Sequence, residues 1–404
     1  MGCFVVVAII AIVVAGMLAS SMSSNSGDNS GNYDPNYTFQ AYLWDTPAPA
    51  IDTPAQPPAS AAVDAGGLSW TGSLRQARAF HAATLLHDGT VLIAGGTDGT
   101  APTASAELYI PSSRQFVATG SMSRPREFAT ATLLADGRVL VAGGEDENGA
   151  SATAEIYDPA TGQFIPTGRM STPRKNAAAA VLADGRVLMA GGSDGTNVLS
   201  SAEIYDPAAG TFSPTGSMAA PREGLVAINL PSGMVLVAGG DNRATSGGTS
   251  EAYDPAGGQF GLVEDMFLAR SFAAGCLLPD GGVLLVGGRS TNQLVSGTAT
   301  LRDPVTGSWS DTTTLAASRA DSAAAVLPDG LVLIAGGDVA SGGNASVEVF
   351  DPSEARSTIV GGSIGPERAG LTATTLKDGS VLIVGGYNTP TTTTPLALIY
   401  TAAP

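Results

Sequence analysis

Residues 130–144 read TATLLADGRVLVAGG, and close variants of this stretch recur seven times along the chain. A run of small and branched residues leads into Asp136-Gly137, and a second branched run leads out to Gly143-Gly144. Asp-Gly between two such runs is typical of a β-hairpin with a type I′ turn, because glycine, and tolerably aspartate, can adopt positive φ. The stretch therefore predicts an antiparallel strand pair that is repeated seven times.

The double glycines that end each copy set the period of the repeat. Their spacing is 48 residues four times and then 49 residues twice. They stand at Gly95-Gly96, Gly143-Gly144, Gly191-Gly192, Gly239-Gly240, Gly287-Gly288, Gly336-Gly337 and Gly385-Gly386. A fixed period of this size indicates a repeat architecture. Residues 66–404 are thus predicted to form one large repeat domain.

Each unit supplies four strands, as the copy between Met122 and Met170 shows. Strand a is the Ala/Thr-rich run after Arg126, and strand b is VLVAGG. Strand c is AEIYDP (154–159) and strand d is QFIPTG (163–168). The small residues of strand a suit a crowded axis, and the aromatic residues of strands c and d should pack between neighbouring blades.

The two ends of the repeat region predict how the ring closes. The last unit stops after strand c at Tyr400, and LSWTGSL (68–74) stands before the first unit, where it aligns with residues 116–122. The N-terminal strand is therefore expected to complete the last blade, which removes a free sheet edge. The predicted fold is all-β: a seven-bladed β-propeller of four-stranded antiparallel blades, preceded by one N-terminal hydrophobic helix.

The repeated Arg, Asp-Gly, Gly-Gly, Glu-x-Tyr-Asp-Pro and aromatic-strand series resembles kelch repeats, which occur in seven-bladed propellers and in the galactose oxidase family. The resemblance covers residues 66–404 and implies the fold, whereas kelch propellers serve both as binding modules and as enzyme scaffolds. Galactose oxidase resemblance would also imply a copper site of two histidines and two tyrosines, one linked to cysteine. His81 and His87, the two histidines, fall at opposite ends of strand a, and Cys276 falls in the fifth blade. No metal, no cofactor and no catalysis are therefore predicted.

The residues before the repeats predict export. Residues 4–19 form an uninterrupted apolar run, and residues 20–65 are rich in Ser, Pro and Ala. We interpret 1–19 as a signal peptide or membrane-anchor helix, 20–65 as a disordered linker and 66–404 as the propeller. The apolar run also resembles the N-terminal helix of type IV pilin-like proteins, which implies a membrane tether or assembly into a pilus-like filament. We therefore predict that the protein is located outside the cell or on the cell surface of a bacterium.

Charge, cysteine content and the positions of the aspartates argue against several features: nucleic acid as the partner, a disulfide within the repeats and a carboxylate metal site. The net charge of −17 disfavours nucleic acid, because binding to phosphates needs a basic face. Cys3 and Cys276 are the two cysteines, and Cys3 precedes the apolar run, so the repeats hold no internal disulfide. Aspartates after the double glycines are interpreted as Asx-turn residues rather than metal ligands; they are Asp98, Asp146, Asp194, Asp241 and Asp338.

One arginine per blade precedes strand a, on the face that carries the loops after Gly-Gly. The set is Arg78, Arg126, Arg174, Arg222, Arg270, Arg319 and Arg368. Two interpretations stay open: each arginine pairs with a strand c glutamate, or the arginines bind a ligand. The glutamates are Glu107, Glu155, Glu203, Glu251 and Glu348, while Thr300 and Leu398 take this place in the fifth and seventh blades. Arg270 and Arg368 are therefore the first candidates for ligand binding.

The functional hypothesis is an exported, non-catalytic propeller that recognises a protein or glycan on the face of the arginines and the Gly-Gly loops. Two alternatives remain. The first is a structural or adhesive component of a surface filament, and the second is a carbohydrate-active enzyme.

Overall fold

The structure is a computed structural model, and it describes residues 66–403 apart from 243–247, 267, 291, 340–341 and 390. The hydrophobic helix of 1–19 and the linker of 20–65 were predicted for residues that lie outside this part. Within the described residues the regular elements are all β-strands. No helix in this part of the chain has the length and apolarity that a membrane span requires.

Strands a and b form the inner half of each blade and pair as antiparallel hairpins. The a strands are Ala82–Leu85, Glu127–Leu133, Ala178–Val181, Glu223–Asn229, Ala274–Leu277, Ala323–Val326 and Thr372–Thr375. The b strands are Val91–Ala94, Val139–Asp146, Val187–Ala190, Val235–Asp241, Val283–Val286, Val332–Ala335 and Val381–Val384. Most b-strand residues up to the double glycine are fully buried, because both faces of this strand are covered by neighbouring blades.

Strands c and d form the outer half of each blade. The c strands are Ala106–Ile110, Ala154–Asp158, Ala202–Asp206, Ser250–Asp254, Thr298–Arg302, Val347–Asp351 and Ala397–Thr401. The d strands are Gln115–Ala118, Gln163–Pro166, Thr211–Pro214, Gln259–Leu262, Trp309–Thr314, Arg356–Ile359 and Gly67–Trp70. Short strands in the loops after Gly-Gly are Gly149–Ala150, Asp338–Val339, Gly342–Gly343, Tyr387–Thr389 and Thr392–Thr393.

The seventh blade closes as the sequence predicts. Gly67–Trp70 pairs antiparallel with Ala397–Thr401, with Leu68 opposite Tyr400. Leu74 is buried just beyond this strand, and its N–H donates to the carbonyl of Pro395 at 2.8 Å. One sheet thus contains residues from both ends of the described chain, which joins the first and last repeats and covers the outer edge of Ala397–Thr401.

The seven a strands surround a common axis. Each contacts the a strand of the next blade, and the a strand of the seventh blade contacts that of the first. In every blade the four strands follow the same order, a-b-c-d, from the axis to the rim. The structure is therefore the seven-bladed, four-stranded propeller that the repeat period predicts.

The Asp-Gly hairpin turn differs in type from the prediction. Gly137 has a φ of 87°, whereas Asp136 stays at negative φ, so a type I′ turn is wrong. Leu134 N–H donates to the carbonyl of Arg138 at 2.8 Å, which leaves a three-residue loop. Asp136 Oδ1 instead accepts the N–H of Arg138 at 3.0 Å. The aspartate side chain thereby accepts a hydrogen bond from the backbone of the turn, and Gly137 alone adopts the left-handed conformation.

The aromatic residues of strands c and d pack as predicted. Tyr157 and Phe164 have ring centroids 4.8 Å apart, and Tyr157 packs in an apolar cluster with residues of the preceding blade. The Tyr157 hydroxyl lies 2.8 Å from Thr119 Oγ1, in the loop that follows strand d of that blade. The tyrosine therefore links neighbouring blades by both burial and a hydrogen bond.

Candidate functional site

The seven repeated arginines are all buried. Their exposed fraction is at most 1%, although they lie on the predicted face, near the loops after Gly-Gly. Arg126 is representative: it donates to the carbonyls of Gly143 and Thr153, both at 2.9 Å, and to Thr153 Oγ1 at 2.7 Å. The guanidinium thus ties the end of strand b to the start of strand c in its own blade.

Five of these arginines pair with the strand c glutamate of their blade. Arg126 Nη2 lies 3.1 Å from Glu155 Oε1, and the other carboxylate oxygen accepts the N–H of Ser123 at 2.8 Å. The equivalent ion pairs are Arg78–Glu107, Arg174–Glu203, Arg222–Glu251 and Arg319–Glu348. Burial lowers the pKa of Arg126, and the hydrogen bond and charge of Glu155 oppose that shift. These arginines act as structural ties.

Arg270 has an acidic partner that was not expected. Its Nη2 lies 3.5 Å from Asp311 Oδ1, in strand d, and it donates to Thr298 Oγ1 at 2.6 Å. Thr300, which replaces the glutamate, donates to Asp311 at 2.8 Å. The expectation that Arg270 is free is therefore wrong. The sequence signal was the acid that strand d carries directly opposite Thr300.

Arg368 differs from the other six arginines. Among the described residues no carboxylate pairs with it, and its guanidinium donates to the carbonyls of Gly385, Leu396 and Ile364. Desolvation lowers its pKa to about 10. Because its side chain is 0% exposed, a ligand could contact it only after a rearrangement. Ligand binding by the seven arginines stays a prediction, and the accessible groups of this face lie nearer the axis.

The residue two positions after each arginine forms a ring around the axis, and we call these seven residues the axis mouth. They are Phe80, Phe128, Asn176, Gly224, Phe272, Asp321 and Gly370, and each has a positive φ between 51° and 63°. Each N–H donates to the carbonyl of the equivalent residue in the preceding blade, at 2.8 to 3.3 Å. The ring closes where Phe80 donates to Gly370 at 2.8 Å. Seven hydrogen bonds therefore fix the backbone of the mouth.

Aromatic side chains cover one part of the axis mouth. The rings of Phe80 and Phe128 have centroids 4.5 Å apart, and Phe80 lies 5.2 Å from Tyr387, which follows the last double glycine. All three are partly exposed. The ring of Phe80 lies over Gly370, where an added Cβ would come within 2.8 Å of it. We call Phe80, Phe128 and Tyr387 the aromatic cluster.

A first charged cluster lies beside Phe128, in the second and third blades. Lys175 Nζ contacts both carboxylate oxygens of Glu145, at 2.8 and 2.7 Å. Glu127 lies opposite Glu145 on the neighbouring a and b strands, and it has no cationic partner of its own in the described structure. Burial and the charge of Glu145, opposed by Lys175, raise the pKa of Glu127 to about 7.

A second charged cluster lies in the fifth and sixth blades. Arg289 Nη2 contacts Asp338 Oδ2 at 2.5 Å and Asp321 Oδ2 at 3.2 Å. Burial raises the pKa of Asp321, and Arg289 opposes this rise. Burial and the two aspartates also raise the pKa of the nearby Tyr387 hydroxyl. Two carboxylates thus share one cation here, whereas in the first cluster the cation contacts only one of the two carboxylates.

The aspartates after the double glycines serve two purposes. Asp98, Asp146 and Asp194 accept the N–H two residues later, at 2.8 Å in each case, as Asx turns do. Asp338 contacts Arg289 of the neighbouring blade, and its Asx turn stays a prediction because residue 340, whose N–H it would accept, lies outside the described residues. No three metal-ligating side chains come together anywhere in the part of the chain that the structure describes.

A cleft of about 390 Å³ lies farther from the axis, and its lining includes Arg124, Arg126, Glu155 and Arg169. Arg124 contacts Asp146 at 2.7 Å, and Arg126 pairs with Glu155, so two of its three cations are already neutralised. The cleft therefore offers less unbalanced charge than the axis mouth.

The two histidines and Cys276 do not form a metal site. His81 is 6% exposed, and its Nε2 lies 2.9 Å from Thr372 Oγ1; burial, aided by Arg78, lowers its pKa to about 3. His87 lies in the hairpin turn six residues later, about 20 Å away along an extended strand. Burial raises the pKa of the Cys276 thiol, in the fifth blade, to about 12. These residues do not fit the copper site that a galactose oxidase resemblance implies.

Comparison with known proteins agrees with this geometry. The family model described as "Kelch motif" matches residues 130–171 and 173–219. Together with the seven closed blades, this match makes the chain a kelch-type seven-bladed β-propeller, and such a propeller suggests a protein-binding scaffold. No curated protein sequence matches the chain.

Solved structures with a similar fold include a fungal oxidase and YjhT. A fungal alcohol oxidase of the AA5 family, in complex with copper, has a TM-score of 0.66 and 17% identity, over 84% of this chain and 76% of that one. YjhT has a TM-score of 0.53 and 13% identity, over 81% of this chain and 96% of that one. At these identities the similarity concerns the fold alone.

The raised pKa of Glu127 makes a prediction about stability. Its pKa of about 7 exceeds the ordinary value of 4.5, so the fold favours the protonated form. The resulting stabilisation is complete below pH 4.5 and is lost as pH rises through 7. Glu127→Gln stays neutral, so we expect it to match the parent at acid pH. Above pH 7 the free energy of unfolding of Glu127→Gln should exceed that of the parent by about 1 kcal/mol, a value reduced for solvent screening.

Urea titrations of both proteins across this pH range check that expectation. Glu264→Gln, which removes an exposed carboxylate, is the control and should show no such divergence near pH 7. A stability difference between Glu127→Gln and the parent that is the same at all pH values contradicts it.

Proposed function

We propose that this protein is an exported, non-catalytic binding module that recognises a protein partner at the axis mouth. The observation that carries the proposal is the aromatic cluster, which presents three partly exposed rings at the centre of one face. Aromatic side chains surrounded by charged groups are typical of the residues that dominate the binding energy of protein interfaces. The kelch-type fold favours a protein partner over the glycan that the sequence left open.

The rigid backbone of the mouth supports a binding function as well. Phenylalanine at positive φ is uncommon, and the sequence places it there in three blades although glycine and asparagine fill the same position in others. Strain of this kind is retained where the surrounding structure enforces it, and it is often found at functional sites. A backbone fixed in this way loses little further entropy when a partner binds.

Export rests on the apolar run of residues 4–19, and the absence of catalysis rests on the positions of the histidines and Cys276. Fractionation of the source cells tests the first. Incubation of the purified protein with a panel of alcohols and sugars, with and without added copper, tests the second. Turnover would favour the carbohydrate-active enzyme, and recovery in sheared surface filaments would favour the filament component.

The binding proposal is tested by a matched pair of substitutions. Phe128→Asn keeps a residue that tolerates positive φ, since Asn176 occupies the same position in the next blade. Val305→Asn is the control, because Val305 is 91% exposed in the outer turn of the fifth blade. After proximity cross-linking identifies the partner, we expect Phe128→Asn to weaken binding about tenfold or more, as the loss of an aromatic hot spot does.

Val305→Asn should bind like the parent. Equal affinity of the Phe128→Asn variant and the parent would rule out the axis mouth as the binding surface. Phe128-dependent binding of an oligosaccharide, in place of any protein, would show that the partner is a glycan.

A further inference from the structure

The charge around the axis mouth indicates the chemistry of the partner. Three positions per blade surround the axis on this face: the mouth residue, the residue before it and the first residue after Gly-Gly. Among them six are acidic and two are basic. The acids are Glu127, Glu145, Glu223, Asp241, Asp321 and Asp338, and the bases are Lys175 and Arg289. The arginines below do not reverse this excess, because six of the seven contact an acid of their own blade.

Both charged clusters have the same imbalance. Glu145 takes the ammonium group of Lys175, which leaves Glu127 beside another carboxylate, and Arg289 is shared between Asp321 and Asp338. A partly buried carboxylate next to a second one is unfavourable until a cation approaches. Each cluster is therefore one positive charge short.

The positions of the clusters define how a ligand would lie. One cluster belongs to the second and third blades and the other to the fifth and sixth, so they stand on different sides of the axis. The aromatic cluster, in the seventh, first and second blades, lies between them along one side of the ring. A short peptide crossing the mouth can thus meet carboxylates at both ends and aromatic rings in its middle.

Resting on the proposed function above, we propose that the axis mouth binds a basic segment of the partner protein, in which lysine or arginine side chains flank an apolar residue. The cationic groups complete the two clusters, and the apolar residue covers Phe80 and Phe128. An uncharged glycan would desolvate both clusters without supplying the missing charges, which is unfavourable. Charge complementarity therefore favours the basic peptide.

The direct test uses two fluorescein-labelled, capped peptides and the full chain. One peptide is Lys-Gly-Phe-Gly-Lys and the other is Glu-Gly-Phe-Gly-Glu. Fluorescence anisotropy should give the lysine peptide an affinity at least about tenfold higher, because each of the two charged clusters has one more carboxylate than cations. Raising the NaCl concentration from about 0.05 M to about 0.5 M should lower the affinity for the lysine peptide severalfold, because salt screens exposed charges.

Substitutions that keep shape but remove charge locate the effect. Glu127→Gln and Asp338→Asn should each lower the affinity for the lysine peptide by about three- to tenfold, as the loss of one charge pair at an interface does. Asp329→Asn is the control, since it removes the same charge from an exposed hairpin turn on the opposite face. It should leave the affinity unchanged.

The pH dependence gives a second readout. The groups that face Glu127 are Glu145 and Lys175, and its pKa is about 7. A cationic ligand prefers the ionised carboxylate, so the lysine peptide should bind more tightly as pH rises through 7, and Glu127→Gln should abolish this change.

Several outcomes would overturn the inference: no binding of either peptide, equal affinity for both, or equal weakening by Asp329→Asn and Glu127→Gln. Loss of partner binding in Phe128→Asn, with no response to Glu127→Gln, pH or salt, has a separate meaning. It would preserve the axis mouth as a binding surface and exclude a basic partner.

Discussion

Deleting residues 1–74 should destabilise the propeller far more than deleting residues 1–65. The longer deletion removes Gly67–Trp70, the outer strand of the last blade, and also the buried Leu74. Strand Ala397–Thr401 would then become a free edge, and the apolar cluster around Leu398 and Tyr400 would lose Leu68. We expect a loss of at least about 5 kcal/mol, which lowers the melting temperature of a domain this large by about 7 °C or more.

Arg78 remains in both shortened proteins, so the comparison isolates the closing strand. Differential scanning calorimetry and light scattering provide the measurement, since a free edge also promotes aggregation. Equal melting temperatures for the two deletions would show that closure through the N-terminal strand does not hold the ring together.

Replacing Arg126 by methionine should cost about 3–5 kcal/mol, as breaking a buried ion pair does. The substitution leaves Glu155 buried, at 1% exposure, and removes the donor to the carbonyls of Gly143 and Thr153. Arg138→Met is the matched control, because its pair with Asp136 has both side chains more than 40% exposed and should contribute less than about 1 kcal/mol.

The double variant Arg126→Met with Glu155→Leu distinguishes the charge from the hydrogen bonds. It should recover part of the loss, because no carboxylate then remains buried without a cation. Chemical denaturation of Arg126→Met, Glu155→Leu, the double variant and the parent completes the cycle. If Arg126→Met costs no more than Arg138→Met, the buried arginine is not a structural tie.

Arg270→Met should also destabilise the fold, because Arg270 is as buried as Arg126. The loss is expected to be smaller, since Asp311 is 33% exposed and can be solvated when its partner is removed. The strand c sequence alone did not indicate this acidic partner, because Thr300 takes the place of the glutamate in this blade.

The fold could be predicted from the sequence because its determinants repeat. The Gly-Gly spacing, the Arg–Glu pairs and the aromatic pairs recur in most blades, so each copy confirms the others. The closing strand was predictable for the same reason, since 68–74 aligns with 116–122. The hairpin turn type was not, because Asp-Gly fits both a two-residue and a three-residue loop and the hydrogen bonds to Arg138 decide between them.

The candidate site escaped prediction because its residues do not repeat. The mouth position holds three phenylalanines, two glycines, an asparagine and an aspartate, which share only their backbone conformation. Glycine, asparagine and aspartate at four of seven positions are a signal for positive φ, but the phenylalanines obscure it. The sequence analysis selected the arginines because they are constant. Constancy across the blades here reflects a shared packing requirement, and the unequal positions carry the features that a partner can distinguish.

The hydrogen-bonded ring at the axis mouth has an electrostatic consequence. Its seven N–H groups all point from one blade to the preceding one, so the bonds run head to tail around a closed circle. The in-plane components of their dipoles therefore cancel, unlike the aligned peptide dipoles of a helix, which add along its axis. These in-plane components therefore contribute almost no field to a ligand that approaches along the axis. Side chains therefore have a large effect on the potential there, and a single isosteric substitution such as Asn176→Asp can change it, since Asn176 already adopts the positive φ of the ring.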